Sequence, residues 1–219
     1  MINKLSKIRN PDNSLDLKRK IINSILILLF GILLGILAKW LDNLSINDSI
    51  KWQRVLEQID LRNILSEMNI WIFIAINLSI FSKTPLRASL NVFLFFLGMT
   101  ISYHLYTIIF SGFNPKQYMM VWYIVTIISP ILAFICWYSK SEHIVSVIIS
   151  SIIIAIMISI SFSIGFWYID LYRLIYLIMV IGVVITLHVN IRNTLISIVI
   201  GLILSFFIPN INIIIYNLF

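Results

Sequence analysis

SKTPLRASLNVFLFFLGMTISYHLYTIIFSGFNPKQYMMVWYIVTIISPILAFICWYSK, residues 82–140, reads as a membrane hairpin. Two apolar segments, about 88–111 and 119–138, each carry the ~20 residues that a helix rising ~1.5 Å per residue needs to cross a ~30 Å hydrocarbon core. Lys83 and Arg87 precede the pair and Lys140 follows it. Basic residues concentrate on the cytoplasmic side of a membrane, so both ends of the hairpin are expected inside and the turn 112–118 outside.

Working outward, the whole chain has the same character. Of its 219 residues, 60% are hydrophobic and 11% charged, against roughly 45–50% and 25% in a soluble domain. A water-soluble fold has no way to hide so much apolar surface. The expected fold is all-α: a polytopic transmembrane bundle of about seven spans, or six, with a cytoplasmic N-terminus. Residues 1–20 form a basic cytoplasmic segment and residues 21–219 one bundle domain. The net charge of +7 speaks to orientation and to anionic lipid, and no nucleic-acid partner is expected. Cys136 is the single cysteine, which excludes an intramolecular disulfide.

Taken in order, Lys4, Lys7, Arg9, Lys18, Arg19 and Lys20 precede an apolar run at 21–41. That run is longer than the ~7–15-residue core of a cleavable signal and has no A-x-A site, so a retained first helix is expected. Its Gly31-x-x-x-Gly35 pair lets another backbone approach, within the bundle or from a second copy or partner membrane protein. Residues 42–69 are hydrophilic, and Trp52, Val55, Leu56, Ile59 and Leu65 suit an amphipathic helix on the outer surface. A short helix at 70–82 and a break at Pro85 follow. Beyond the hairpin come a fifth helix at 143–167, an outer link at 170–173, a sixth at 174–188 and a seventh at 194–208. The seventh ends at Pro209, with 211–219 spanning or lying on the surface.

Inside a bilayer the informative residues are small or polar. Thr100, His104, Thr107 and Ser111 share a face of the third helix, and Trp122, Thr126, Ser129, Ala133 and Cys136 share one on the fourth. Ser151, Ala155, Ser159 and Ser163 form a ladder on the fifth helix, repeated by Ser197, Gly201 and Ser205 on the seventh. Such ladders suit seams between helices. The sharper expectation is a ligand pocket opening outward between the third to sixth helices. His104, an ionisable group inside a span, would lie at its floor, with Thr100, Thr107, Trp122 and Thr126 around it and Lys116, Asp170 and Arg173 at its mouth. Pairing of Asp170 with Arg173 and an aromatic belt would explain the same residues without a ligand. No zinc, nucleophile-elbow, paired-acid or phosphate-loop motif is present. That argues against an enzyme, and no metal or cofactor is expected.

TPLRASLNVFLFFLGM (84–99), GFNPKQYMMVWYIVTIISPILAFICWYSK (112–140), GILLGILAKWLD in the first helix and Gly165-Phe166-Trp167-Tyr168 resemble stretches of a family of small bacterial multi-pass membrane proteins of unknown function. The resemblance implies a bacterial cell-membrane protein and no catalytic residue. In size, helix count and small-x-x-x-small first helix, the chain is also similar to the substrate-binding membrane subunits of energy-coupling-factor vitamin transporters. That similarity implies a small-molecule-binding transport component. The other expectation is a non-catalytic membrane partner, scaffold or immunity-type protein. The topology predicts that, with Cys136 replaced, a single cysteine at Asn114 reacts with an impermeant thiol reagent in intact cells. Cysteines at Ser14 and Ser141 should not, and labelling at position 14 from outside overturns the orientation.

Overall fold

The computed structural model describes residues 5–45, 49–164 and 167–208. Its helices are α1 (Leu17–Asp42), α2 (Lys51–Ile59), α3 (Leu61–Ser66), α4 (Met68–Ile80), α5 (Pro85–Ser111), α6 (Lys116–Trp137), α7 (Ile144–Ser161), α8 (Leu174–Leu187) and α9 (Ile191–Ser205). α1, α5, α6 and α7 are long and apolar enough to cross a membrane, and α4, α8 and α9 are shorter apolar helices. The chain is thus a nearly all-α helical membrane protein. The segment 211–219 and Pro209 lie outside the described residues.

Local chemistry sets the helix ends. Asp16 caps α1 by accepting a hydrogen bond from the Arg19 amide, and Thr84 does the same for the Arg87 amide of α5. Pro85, expected as a break, is the first residue of α5, where its missing N–H costs nothing. Gly112 at φ 72° ends α5 in the left-handed region that suits glycine. Two expectations need correcting. The fifth helix stops at Ser161, and the polar, aromatic residues after it turn back as a hairpin, β1 (Phe162–Ile164) antiparallel to β2 (Ile169–Leu171). Ser163 pairs with Asp170 across that hairpin, so it does not extend the α7 ladder.

α4 is the hub. It touches α5, α6, α7 and α8, and α3 runs directly into it. On one side α1, α5 and α6 close around Trp71, Phe95, Met99, Met119 and Trp122; on the other, α7 and α8 close around Ile76, Ile80, Ile154, Met157 and Tyr176. α9 lies mainly along α7.

The seams are built from the small residues. A Cβ on Gly31 would fall on the Phe95 carbonyl, one on Gly35 on Met99 and Ser102, and one on Gly98 would lie 2.6 Å from the Leu28 carbonyl. Glycines on both helices therefore bring the α1 and α5 backbones together, and the Ser102 hydroxyl donates to the Ile32 carbonyl at 3.0 Å. On the other side a Cβ on Gly201 would meet Ile154 at 2.8 Å, and Ser197 donates to the Val147 carbonyl at 3.3 Å. Both glycine pairings hold the bundle together from within. Replacing Gly31 by alanine forces backbone to separate from backbone and is expected to cost about 1–3 kcal/mol, read as a lower unfolding temperature in detergent. Gly182→Ala meets only the Phe73 ring edge at 3.0 Å and should cost clearly less; equal losses would contradict the close-approach seam.

Candidate functional site

The residues expected around an outer pocket fall into separate groups. Thr100 and Thr126 hydrogen-bond to each other at 3.1 Å between α5 and α6, both buried. Thr126 also donates to the Trp122 carbonyl, and buried Thr107 to the Tyr103 carbonyl. Trp122 stacks edge-on against Trp71, and the cavity beside it, between Leu65, Tyr103, Tyr118 and Met119, measures about 10 Å³, room for about one water. His104 faces elsewhere: Nδ1 is 2.7 Å from the Tyr123 hydroxyl and Nε2 is 2.9 Å from Asn114 Oδ1. Both its nitrogens are thereby satisfied within the α5–α6 hairpin. Lys116 is exposed at the start of α6.

Arg173 belongs to a cluster that joins distant parts of the chain. Its Nε donates to Asp60 Oδ2 at 2.7 Å, and its Nη1 donates to Glu67 Oε1 and to the Tyr176 hydroxyl, which itself donates to Glu67 Oε2 at 2.6 Å. Its partners are therefore Asp60 and Glu67, and the expected Asp170–Arg173 pair does not form. Burial alone would lower the guanidinium's pKa, but the Glu67 hydrogen bond and surrounding negative charge outweigh it and raise the value. Asp60 sits between α2 and α3 with φ 58°, a conformation that costs a non-glycine residue energy. Asn63 donates to its other oxygen at 2.7 Å. The strained corner is thus held from two sides, and it clasps the amphipathic segment to the start of α8.

The opposite, basic end is knitted by arginine. Arg9 donates from Nη1 to the Trp137 carbonyl at 2.6 Å and from Nη2 to the Ile80 carbonyl at 3.0 Å, with its guanidinium 4.2 Å over the Trp137 ring. One side chain therefore caps the C-termini of α4 and α6, where helix dipoles favour a cation. Burial pushes its pKa down. Lys83 pairs with Asp12 at 2.6 Å and holds that carboxyl below the usual carboxylate range.

Between the N-terminal half of α1, the C-terminal half of α4 and the start of α5 runs a lateral groove of about 580 Å³. α1 packs on α5 and leaves this flank of α4 open. Leu26, Ile27 and Phe30 wall it on one side and Phe73, Ile74 and Leu78 on the other; Lys83, Arg87 and Asn91 stand where α4 gives way to α5, with Asn77 nearby on α4. The volume lies within the ~300–1,000 Å³ of small-molecule sites, and the apolar walls with a few polar groups at one end have the make-up of such a site. A smaller cavity of about 160 Å³ lies at the other end, between Leu41, Leu56 and Asn63.

Nothing in the sequence flagged the groove. Its walls are ordinary lipid-compatible residues, and only the divergence of α1 from α4 makes them a site. Replacing Arg173 by alanine removes three charged or charge-assisted hydrogen bonds and is expected to lower stability by about 1.5–3 kcal/mol, whereas Asp170→Ala should stay within about 0.5 kcal/mol of wild type. Chemical unfolding of the purified protein reads both, and equal losses would show that Asp170 shares the cluster. No protein-family model, curated protein or solved structure matches this chain.

Proposed function

We propose that this chain is a multi-pass cell-membrane protein that binds an amphiphilic small molecule taken sideways from the bilayer, as the binding component of a transport or lipid-handling system. The observation that carries the reading is the groove between α1, α4 and α5, whose apolar walls end at a cluster of amides and cations. A pocket for a polar solute would open to water at an end of the bundle; the long side of this groove opens on the flank of the bundle, between α1 and α4, which this reading sets against lipid. The orientation belongs to the same reading. Nine of the fifteen described basic residues lie at the end where α1 and α5 begin, so that end is taken as cytoplasmic, and α4, α8 and α9 count with the four long helices as seven spans.

A second reading, a scaffold or membrane partner without a ligand, is favoured by a separate observation: the interior beside Trp122 is filled to within about one water.

The two readings part in a photocrosslinking experiment. The purified protein in vesicles receives phosphatidylcholine with a diazirine in its acyl chain. A groove ligand predicts labelling of 23–30 and 73–83 well above that of the exposed α6 residues Ile127 and Ile131, and loss of the excess in Leu26→Trp, which fills the groove. Uniform labelling around the belt would leave the scaffold reading standing.

A further inference from the structure

We infer that the mouth of the groove binds the phosphate of an anionic phospholipid from the adjoining leaflet, with Arg87 holding the headgroup; this rests on the lateral-groove reading above. Arg87 is half-buried, and its Nη2 donates to the Lys20 carbonyl at 2.9 Å, the Ser24 hydroxyl at 3.0 Å and Asn91 Oδ1 at 3.3 Å. All three acceptors are neutral. Its Nε and Nη1 make no hydrogen bond among the described residues, and no described carboxylate comes within 4.0 Å of Arg87 or Lys20. Of the three acids at this end, Glu142 lies in the α6–α7 loop outside the groove lining, Asp12 pairs with Lys83, and Asp16 accepts from the Arg19 amide and lies 3.9 Å from its side chain. Lys83 and Arg87 line the mouth, and with Lys18, Arg19 and Lys20 in the adjoining first turn of α1 they outnumber Asp12 and Asp16 five to two.

A guanidinium beside an apolar surface carries a desolvation cost that an opposite charge offsets. The edge left unused by Arg87 is one that grips phosphate or carboxylate through paired N–H donors. An inorganic anion would satisfy the charge and leave the apolar walls from Leu26 to Phe30 and from Leu78 to Phe73 with nothing to cover. A phospholipid satisfies both, its phosphate on Arg87 and an acyl chain along the walls. Its negative headgroup distinguishes it from a zwitterionic lipid, because the cations are in excess before it binds.

The test is native mass spectrometry of the full chain released from nanodiscs containing equal phosphatidylglycerol and phosphatidylcholine. Wild type should retain phosphatidylglycerol in preference. Each basic residue near an anionic lipid surface is worth about 1 kcal/mol, so Arg87→Gln should lower that preference roughly fivefold. Arg87→Lys should keep part of it. Because Arg87 also ties α1 to α5, Lys20→Gln serves as a second variant: the Lys20 side chain makes no hydrogen bond or ion pair among the described residues, and its loss should weaken the preference without unfolding.

Leu26→Trp should abolish retention of both lipids. Retention of both lipids equally, with Arg87→Gln and Lys20→Gln silent, would overturn the headgroup site while leaving the groove intact. No retention by wild type, with Leu26→Trp silent, would overturn the groove itself. Release of phosphatidylglycerol by inorganic phosphate alone, with the acyl walls making no difference, would show a bare anion site and overturn the lipid.

Discussion

The structure depends on a short central helix. α4 has 13 residues, about 20 Å of helix against a ~30 Å hydrocarbon core, yet it is the element that both halves of the bundle pack against. Its polar ends are met by other parts of the chain. At its C-terminus Arg9 reaches the Ile80 carbonyl from the N-terminal segment. At its N-terminus the capping residue Glu67 is held by Arg173 and Tyr176 from the far end of the chain. Acid at the start and base at the end is also the arrangement a helix dipole favours.

The same demand recurs at membrane depth, where each unsatisfied backbone group costs several kcal/mol. Pro130 cannot donate to the Thr126 carbonyl one turn back in α6, and the Ser129 hydroxyl supplies that hydrogen bond at 2.9 Å. Ser89 from α5 donates to the Pro130 carbonyl at 2.8 Å and Ser79 from α4 to the Ala133 carbonyl at 2.7 Å. Fully buried Asn69 donates to the Ile160 carbonyl at 3.0 Å, where α7 gives way to the hairpin. Serines that read as a packing ladder thus also serve the backbone, and no described buried side-chain nitrogen or oxygen lacks a partner.

These ties account for the contrast between the two ends. Towards the end bearing α2 and α3, polar residues are spent on one another: His104 on Tyr123 and Asn114, Arg173 on Asp60 and Glu67. At the basic end Arg9 and Lys83 are spent likewise, but Arg87 keeps donors to spare beside the groove. Trp40 of α1 stacks on Trp52 of α2 at 6.4 Å, continuing the exposed apolar belt of α1 onto the exposed Trp52, Val55 and Ile59 of the amphipathic helix.

The sequence by itself determined the membrane class, the hairpin of α5 and α6, the order of the other apolar helices and the small-residue seams. Those properties are written in local length, hydropathy and four-residue spacing. Gly31, Gly35, Ser197 and Gly201 were legible for that reason. The tertiary structure alone decided the ends of α7, because helix and hairpin compete over 162–171 and the pairing of Ser163 with Asp170 is not a local signal. It also chose partners for the charges: Arg173 lies three residues from Asp170 in sequence and more than a hundred from the carboxylates it binds, and only folding sets which distance counts. The groove was the least legible feature, since its Leu26 and Phe73 are the residues any lipid-facing helix carries. What makes them a site is the departure of α1 from α4, imposed by glycines that draw α1 onto α5.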